Sequence, residues 1–445
     1  MKVSAYNYFV YDETDNIYLG YNGISGGLYV FTPTQYEEVN KILENPDRQG
    51  SPEIVKEKLV KGRFLITDDL NEIQLLKLRN NTARYSTTGL GLVITPTLNC
   101  NFNCPYCYVD RGKINMDRPT IDKVKIFFEK KLETVRKIEV CWTGGEPLLT
   151  VGTVEELNSF FVEKSRDRNI PYFSSLISNG YLLTPEIVGR LKNCGIKLMQ
   201  ITLDGHDSYH DRYRSTITGE KTYWKILKNV ADASNNNLKI ILRSNIEKEN
   251  YESIYTLIDD LANSGMNPDN VLYAPCMVKE VRTKGGVYRG TCLTRNEFSE
   301  IEPKIMLYAL ERGIKINKEM LAANYLFCGA NSLSFFVIDA HANVLKCWCN
   351  LGRGDGNKIG TINNSGEIQY SNFNNLIRWM SWDPFEIKEC LECRVLPICL
   401  GGCMYYNVMG DTEEIGIGCS TRKLNIEAMM KLYYLYYLKN KDIQA

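Results

Sequence analysis

The chain has 445 residues, with 53 Lys+Arg against 53 Asp+Glu and 44% hydrophobic residues. That is the composition of an ordinary globular protein, long enough for two or three domains of roughly 100–200 residues each. The even charge balance gives no reason to expect nucleic acid or a membrane surface as partner. No run of about 18 apolar residues predicts a membrane span, and MKVSAYNYFVYDETD lacks a signal-peptide core, so a cytoplasmic location is expected.

Residues 1–85 read as a small α+β domain. AYNYFVY, NIYLGYN and GGLYVF have strand character and are split by turn-forming DETDN and NGISGG. TQYEEVNKILEN and SPEIVKEKLVKG carry apolar residues at helical spacing, with Thr34 and Ser51 as expected N-caps. RFLIT reads as a closing strand, and the polar RNNTARYSTTG as a linker. From about 90 to 278, strand-like runs (LGLVITP, IEVCWT, YFSSLIS, KLMQITL, KIILRSN, VLYAPC) alternate with helical stretches near 120–137, 153–168, 185–194, 221–236 and 250–264. Alternation of this kind predicts parallel β/α units with right-handed crossovers. Six units give an α/β fold, a partial (β/α)6 TIM-like barrel over residues 86–312, with function at the C-terminal strand ends. Residues 313–445 form a Cys-rich, loop-rich C-terminal module.

Cysteine is the anomaly: there are fifteen, against three histidines, His206, His210 and His341. In a reducing compartment, clustered cysteines read as metal ligands. Cys100, Cys104 and Cys107 lie in LNCNFNCPYCY, after the first barrel strand. A structural zinc site wants four protein ligands, and no fourth Cys or His lies nearby. A [4Fe–4S] cluster on three cysteines leaves one iron open. Incidental loop cysteines, and zinc with a distant ligand, are the competing readings.

CxxxCxxC followed by an aromatic, here Tyr108, resembles the radical S-adenosylmethionine (SAM) enzymes. In that superfamily the open iron chelates SAM, and reduction cleaves SAM to a 5′-deoxyadenosyl radical. Three further stretches at successive strand ends fit the resemblance. TGGEP, with Gly144, Gly145 and Glu146, looks like the segment that holds the methionine amine. SNG, with Ser178 and Asn179, resembles a SAM-contacting turn in which Ser178 faces the carboxylate. TLDG contains Asp204 and is followed by Arg212 and Arg214, one of which the resemblance pairs with the SAM carboxylate. Asn245, in LRSN, is a weaker SAM contact.

The C-terminal order of Cys328, Cys347, Cys390, Cys393, Cys399, Cys403 and Cys419 contains C-x2-C-x5-C-x3-C and resembles the SPASM extension of radical SAM enzymes, which carries two auxiliary [4Fe–4S] clusters. The resemblance assigns Cys390, Cys393, Cys399 and Cys419 to one cluster and Cys328, Cys347 and Cys403 to the other; the fourth position of the latter is either Cys349, at a cramped two-residue spacing, or an open iron that could bind a substrate thiolate. Ala342 stands where that family usually has Gly. A zinc-ribbon module is the competing reading.

The resemblance implies a precursor peptide or protein as substrate and a low-potential electron donor such as flavodoxin or ferredoxin. Residues 1–85, strands followed by helices with GGLYVF and KGRFLIT edges, resemble the small winged-helix domains that bind leader peptides, with a stabilising cap as the competing reading. A thioether or carbon–carbon crosslink is the expected product, with sulfatase-maturating-type Cys/Ser oxidation and peptide epimerisation as alternatives. Cys276, after the sixth strand, is the candidate hydrogen-atom donor for epimerisation, with Cys292 as a second; Cys141 and Cys194 read as core cysteines. A non-catalytic iron–sulfur or zinc-binding protein is the alternative of another class, but it has no need of GGE, SNG and TLDG.

Overall fold

The computed structural model describes residues 1–283, 286–288, 290–409 and 418–440. The chain divides into two compact units, one of residues 1–85, 318–328 and 382–445, the other of 86–317 and 329–381. Residues expected in one C-terminal module are shared: 329–381 join the barrel unit and 382–445 join the N-terminal segment.

All six expected barrel strands form: β1 Gly89–Ile94, β2 Lys137–Trp142, β3 Tyr172–Ser178, β4 Leu198–Thr202, β5 Lys239–Ile246 and β6 Val271–Met277. Each is parallel to the next. Helices Arg118–Lys131, Val151–Asp167, Pro185–Asn193, Tyr223–Asn235 and Ser253–Asn263 supply the crossovers. Two of them begin on side-chain caps, Asp117 accepting from Thr120 N–H and Thr184 from Ile187 N–H, as N-cap chemistry predicts. A short helix, Asp207–Tyr213, lies between β4 and the Tyr223 helix. The sheet is an open one of eleven strands. Beyond β6 it adds Lys315–Ile316; beyond β1 it adds Phe335–Ile338 in parallel, then the antiparallel Asn343–Leu345, Gly360–Ile362 and Ile368–Tyr370. On β5, Ile240, Leu242, Ser244 and Ile246 are buried, which leaves Arg243 and Asn245 on the opposite face.

The other unit contains an antiparallel sheet of Asn7–Asp12, Ile17–Asn22 and Leu28–Phe31. Its core includes Val39, Ile42, Leu59, Phe64 and Leu65. The C-terminal helix Arg422–Asn440 buries Met429, Met430 and Leu432. Three local expectations are corrected. Thr32, not Thr34, caps Pro33–Glu44, in a capping box with Gln35. Pro52 occupies the next N-cap position, and Ser51 donates instead to the Arg48 carbonyl. The expected linker is largely helix: Glu72–Tyr85 is continuous, started by Asn71 Oδ1 accepting from Gln74 N–H at 3.1 Å. Two of its polar residues are buried with partners, Asn80 donating to the Tyr325 carbonyl at 2.9 Å and Arg84 lying 3.6 Å from Asp383.

Candidate active site

The three motif cysteines sit in the loop after β1, half-buried, and none is in a disulfide. The loop is held by its own backbone and by the strand ends around it. Leu98 N–H donates to the Ile114 carbonyl at 2.9 Å, and Ile217 N–H to the Asn101 carbonyl at 2.9 Å. Arg111 donates to the Phe102 carbonyl and, at 2.7 Å, to Asn103 Oδ1. Burial first, then the charge of Glu146, pushes the Cys100 thiol up to about 12. Burial also pushes Cys104 up to about 11, against the opposing pull of Arg214. Each of the two also feels the charge of Cys107, the third cysteine of the loop. Buried thiols of this kind ionise only beside a strong cation, which is the chemistry of a metal-cluster donor set. Among the described residues no three His, Cys, Asp or Glu side chains meet as a site for a metal ion.

The glycines of TGGEP serve the loop itself. Gly145 N–H donates to the Thr97 carbonyl at 2.9 Å and Glu146 N–H to the Asn99 carbonyl at 2.8 Å. A Cβ on Gly144 or Gly145 would overlap the Thr97 or Asn99 carbonyl, and Gly144 has φ +138°; only glycine permits that approach. Glu146 is fully buried, and burial holds its carboxyl above the usual range. Its oxygens accept from Ser178 Oγ at 2.8 Å, Asn179 N–H at 2.8 Å and Leu148 N–H at 3.0 Å. Asn179 Nδ2 donates in turn to Asn101 Oδ1, at 2.8 Å. GGE, SNG and the cysteine loop are therefore one hydrogen-bonded body. The Ser178 hydroxyl is engaged within it, donating to Glu146 and accepting from Gly180 N–H at 2.9 Å.

A second body forms around Asp204, which is fully buried. It accepts from Asn245 N–H at 2.7 Å, from Arg214 Nη1 at 3.4 Å and from the Tyr106 hydroxyl. Arg214 also donates to Tyr106 at 3.0 Å and stands 5.9 Å from the Phe102 ring. Its Nε is buried without a partner among the described residues. That N–H, beside the cysteine loop, is a donor suited to an anionic group bound there. Of the two predicted arginines the structure brings only Arg214 to the site; Arg212 is exposed, ion-paired with Glu249 and 4.5 Å from the Tyr213 ring. Asn245 contributes its backbone to Asp204, while its side chain accepts from Arg243 Nε at 2.9 Å.

Sequence reasoning passed over Tyr106, His210 and Arg243. His210 Nδ1 accepts from Asp204 N–H at 3.2 Å and its Nε2 lies 3.1 Å from Thr222 Oγ1, so the ring holds the Asp204 turn. Arg243, on β5, donates to Cys276 Sγ at 2.9 Å, and the nearness of that sulfur, against burial, raises the guanidinium value. Tyr108 is strongly raised, by burial first and then by Cys349, with Cys107, Arg243 and Cys347 also in range. The Cys349 thiol is lowered, first by a hydrogen bond with Cys347 and then by Arg353, Arg243 and Lys279 against burial. The two-residue spacing of Cys347 and Cys349 thus places both thiols in contact, near Tyr108. Cys292 lies beside Glu247 and is pushed up to about 11 by burial. Cys194 is a core residue donating to the Leu191 carbonyl, and Cys141 is half-buried on β2.

In the other unit, burial pushes Cys390 and Cys399 each up to about 11; Cys390 also feels Cys399, Cys419 and Cys393, and Cys399 feels Cys419 and Cys393. A left-handed run, Leu400 (φ +41°), Gly401 (φ +80°) and Gly402 (φ +72°), turns the chain, and Cys403 N–H donates to the Gly418 carbonyl at 2.9 Å. Cys328 and Cys403 belong to this unit, Cys347 and Cys349 to the barrel unit.

The radical SAM superfamily model matches residues 94–261. The chain is 22% identical to the radical SAM cyclopropyl synthase TigE of Paramaledivibacter caminithermalis, over 89% of each chain. Its fold is similar to that of native anSMEcpe with bound AdoMet and the Cp18Cys peptide, with TM-score 0.56 and 16% identity over 79% of this chain and 97% of that one. It is similar also to Streptococcus suis SuiB bound to precursor peptide SuiA, with TM-score 0.53 and 15% identity over 92% of this chain and 97% of that one. No helix among the described residues is long and apolar enough to cross a membrane.

Proposed function

We infer that this chain, whose residues 94–261 are a radical SAM domain, is a cytoplasmic enzyme that takes a hydrogen atom from a residue of a precursor peptide or protein and installs a crosslink there. The observation that carries the reading is the joining of the cysteine loop to GGE and SNG on one side, and through Tyr106 to the Asp204–Arg214 pair on the other, at consecutive strand ends. Cys100, Cys104 and Cys107 would hold the first [4Fe–4S] cluster. When bound, that cluster and SAM supply one-electron cleavage and a hydrogen-abstracting radical. The chain's own residues position and shield. Glu146 clamps the SNG turn to the loop, Arg214 offers a buried cationic donor, and the half-buried Tyr106 and Tyr108 flank the motif.

Crosslinking is a net oxidation, so an electron must leave. Cys390, Cys393, Cys399 and Cys419 would hold one auxiliary cluster able to accept it, and Cys328, Cys347 and Cys403, with Cys349, the other. A flavodoxin- or ferredoxin-like donor would feed the first cluster. The free edge of Leu28–Phe31, paired in its sheet only with Ile17–Asn22 among the described residues, would receive an extended peptide by strand addition. The product is a thioether or a carbon–carbon bond; the relative aligned over most of the chain is named for cyclopropane formation, which favours carbon–carbon.

Epimerisation is the second reading. Cys276 supports it, because its sulfur lies on the same face of the sheet as Arg243. Anaerobic reconstitution should give about twelve iron and twelve sulfide per chain, the content of three four-iron clusters, with 5′-deoxyadenosine formed from SAM. Zinc in place of iron overturns the enzyme reading. With a peptide substrate in hand, loss of two hydrogens from its mass identifies crosslinking, and an unchanged mass with inverted stereochemistry identifies epimerisation.

A further inference from the structure

Four tyrosines of the barrel unit stand in sequence from the cysteine loop outward, each hydrogen-bonded to a carboxylate. Tyr106, between Cys104 and Cys107, donates to Asp204 and accepts from Arg214. The Tyr288 ring lies edge-on to it at 6.0 Å and donates to Glu247 Oε2 at 2.9 Å. Tyr209 donates to the other oxygen of the same buried carboxylate. Tyr213 stacks on Tyr209 at 4.6 Å and donates to Glu249, at 3.2 Å, beside the exposed Arg212. Carboxylates are ordinarily partnered by cations when buried; among the described residues Glu247 accepts from two phenols, Tyr209 and Tyr288.

We propose that Tyr106, Tyr288, Tyr209 and Tyr213 form a proton-coupled relay that carries a one-electron oxidation from the cysteine loop to the protein surface and so quenches a carbon radical stranded at the site. The proposal rests on the radical reading of that site. In the first step the Tyr106 O–H bond breaks and a C–H bond forms on the stranded radical, leaving a phenoxyl. Tyr288 reduces that phenoxyl to a phenolate held by Arg214, while the Tyr288 proton passes to Glu247. Tyr209 then reduces Tyr288, Glu247 returning one proton to Tyr288 and taking another from Tyr209. Tyr213 reduces Tyr209 in the same way, its own proton moving to Glu249. At the surface the low-potential donor that the site already requires reduces Tyr213, which recovers its proton from Glu249. The Tyr106 phenolate takes a proton from solvent. In sum, the stranded radical gains one electron and one proton, and the donor is oxidised by one electron.

The test uses reconstituted holoenzyme with SAM and dithionite but no peptide, frozen at intervals and read by electron paramagnetic resonance. Growth on ring-deuterated tyrosine assigns any phenoxyl signal. In wild type a phenoxyl should form and decay; in Tyr288→Phe it should persist about tenfold longer, the loss of one hop being worth a barrier of about 1.4 kcal/mol. Tyr209→Phe should behave alike, and iron content equal to wild type verifies that each variant is folded and loaded. Equal lifetimes in all three proteins, or 5′-deoxyadenosine without any phenoxyl, overturns the relay while leaving the radical reading intact. Absence of 5′-deoxyadenosine overturns both.

Discussion

The Ser178 hydroxyl donates to Glu146 Oε1 at 2.8 Å, and through that contact the third strand's turn is fastened to the second strand's glycine pair. Neither residue is near the other in sequence, and neither is exposed. Glu146→Gln replaces one acceptor oxygen by a donor that faces N–H or O–H groups. Leaving such donors unmatched in a buried site costs about 1–3 kcal/mol. The thermal midpoint should drop and iron loading should fall with it. An unchanged midpoint would show that the turn is held without Glu146.

His210 ties acid stability to the site. Burial, then the charge of Arg214, holds its imidazole well below the usual 6.5. The unfolded chain takes up a proton as pH falls through about 6.5, whereas the folded chain does not, so stability is full above that value and declines below it. With Nδ1 accepting from Asp204 N–H, protonation would also break the Asp204 turn. Urea midpoints measured from pH 8 to 5 should fall below 6.5 in wild type, and the fall should shrink in His210→Gln. A parallel fall in both proteins assigns the acid sensitivity elsewhere.

Ala342 is buried at φ +60°, its N–H donating to the Asp339 carbonyl at 3.0 Å. A residue with a Cβ costs roughly 1–2 kcal/mol in that conformation, whereas glycine loses about 0.4–1 kcal/mol more entropy on folding. Ala342→Gly should therefore stabilise the protein by about 0.5 kcal/mol, read as a rise in urea midpoint at constant slope. A lower midpoint would mean that the buried methyl's packing outweighs the strain.

The barrel was legible because its strands are short apolar runs closed by turn residues and separated by helical spacing, a pattern that survives in single sequence. Cys100, Cys104, Cys107, Gly145 and Glu146 stood out because the glycines and thiols have few other uses at strand ends. What stayed hidden depends on non-local partners. RNNTARY reads as a polar linker until Arg84 is seen to meet Asp383. Phe335–Ile338 gives no sign that it pairs with β1, more than 240 positions earlier. Arg243 looks like one more polar residue on an alternating strand, and only the register Asn245↔Cys276 shows that it shares a face with Cys276. Glycine, too, was legible as to place, but that Gly145 makes room for the Asn99 carbonyl shows only in the fold.

Cys399 offers the sharpest test of the C-terminal cysteine set. It is buried, raised to about 11, and within range of Cys393 and Cys419. A buried thiol with that value stays protonated near neutrality, so uptake of a metal cluster must release its proton, and loading should weaken as pH is lowered. If Cys399 binds an auxiliary cluster, Cys399→Ala should reduce iron from about twelve to about eight per chain, with matching loss of sulfide. The N-terminal segment shares its compact unit with these cysteines, so proteolytic protection of residues 1–85 should fall at the same time. Full iron content in the variant would make Cys399 a core cysteine and remove one of the two routes proposed for the surplus electron.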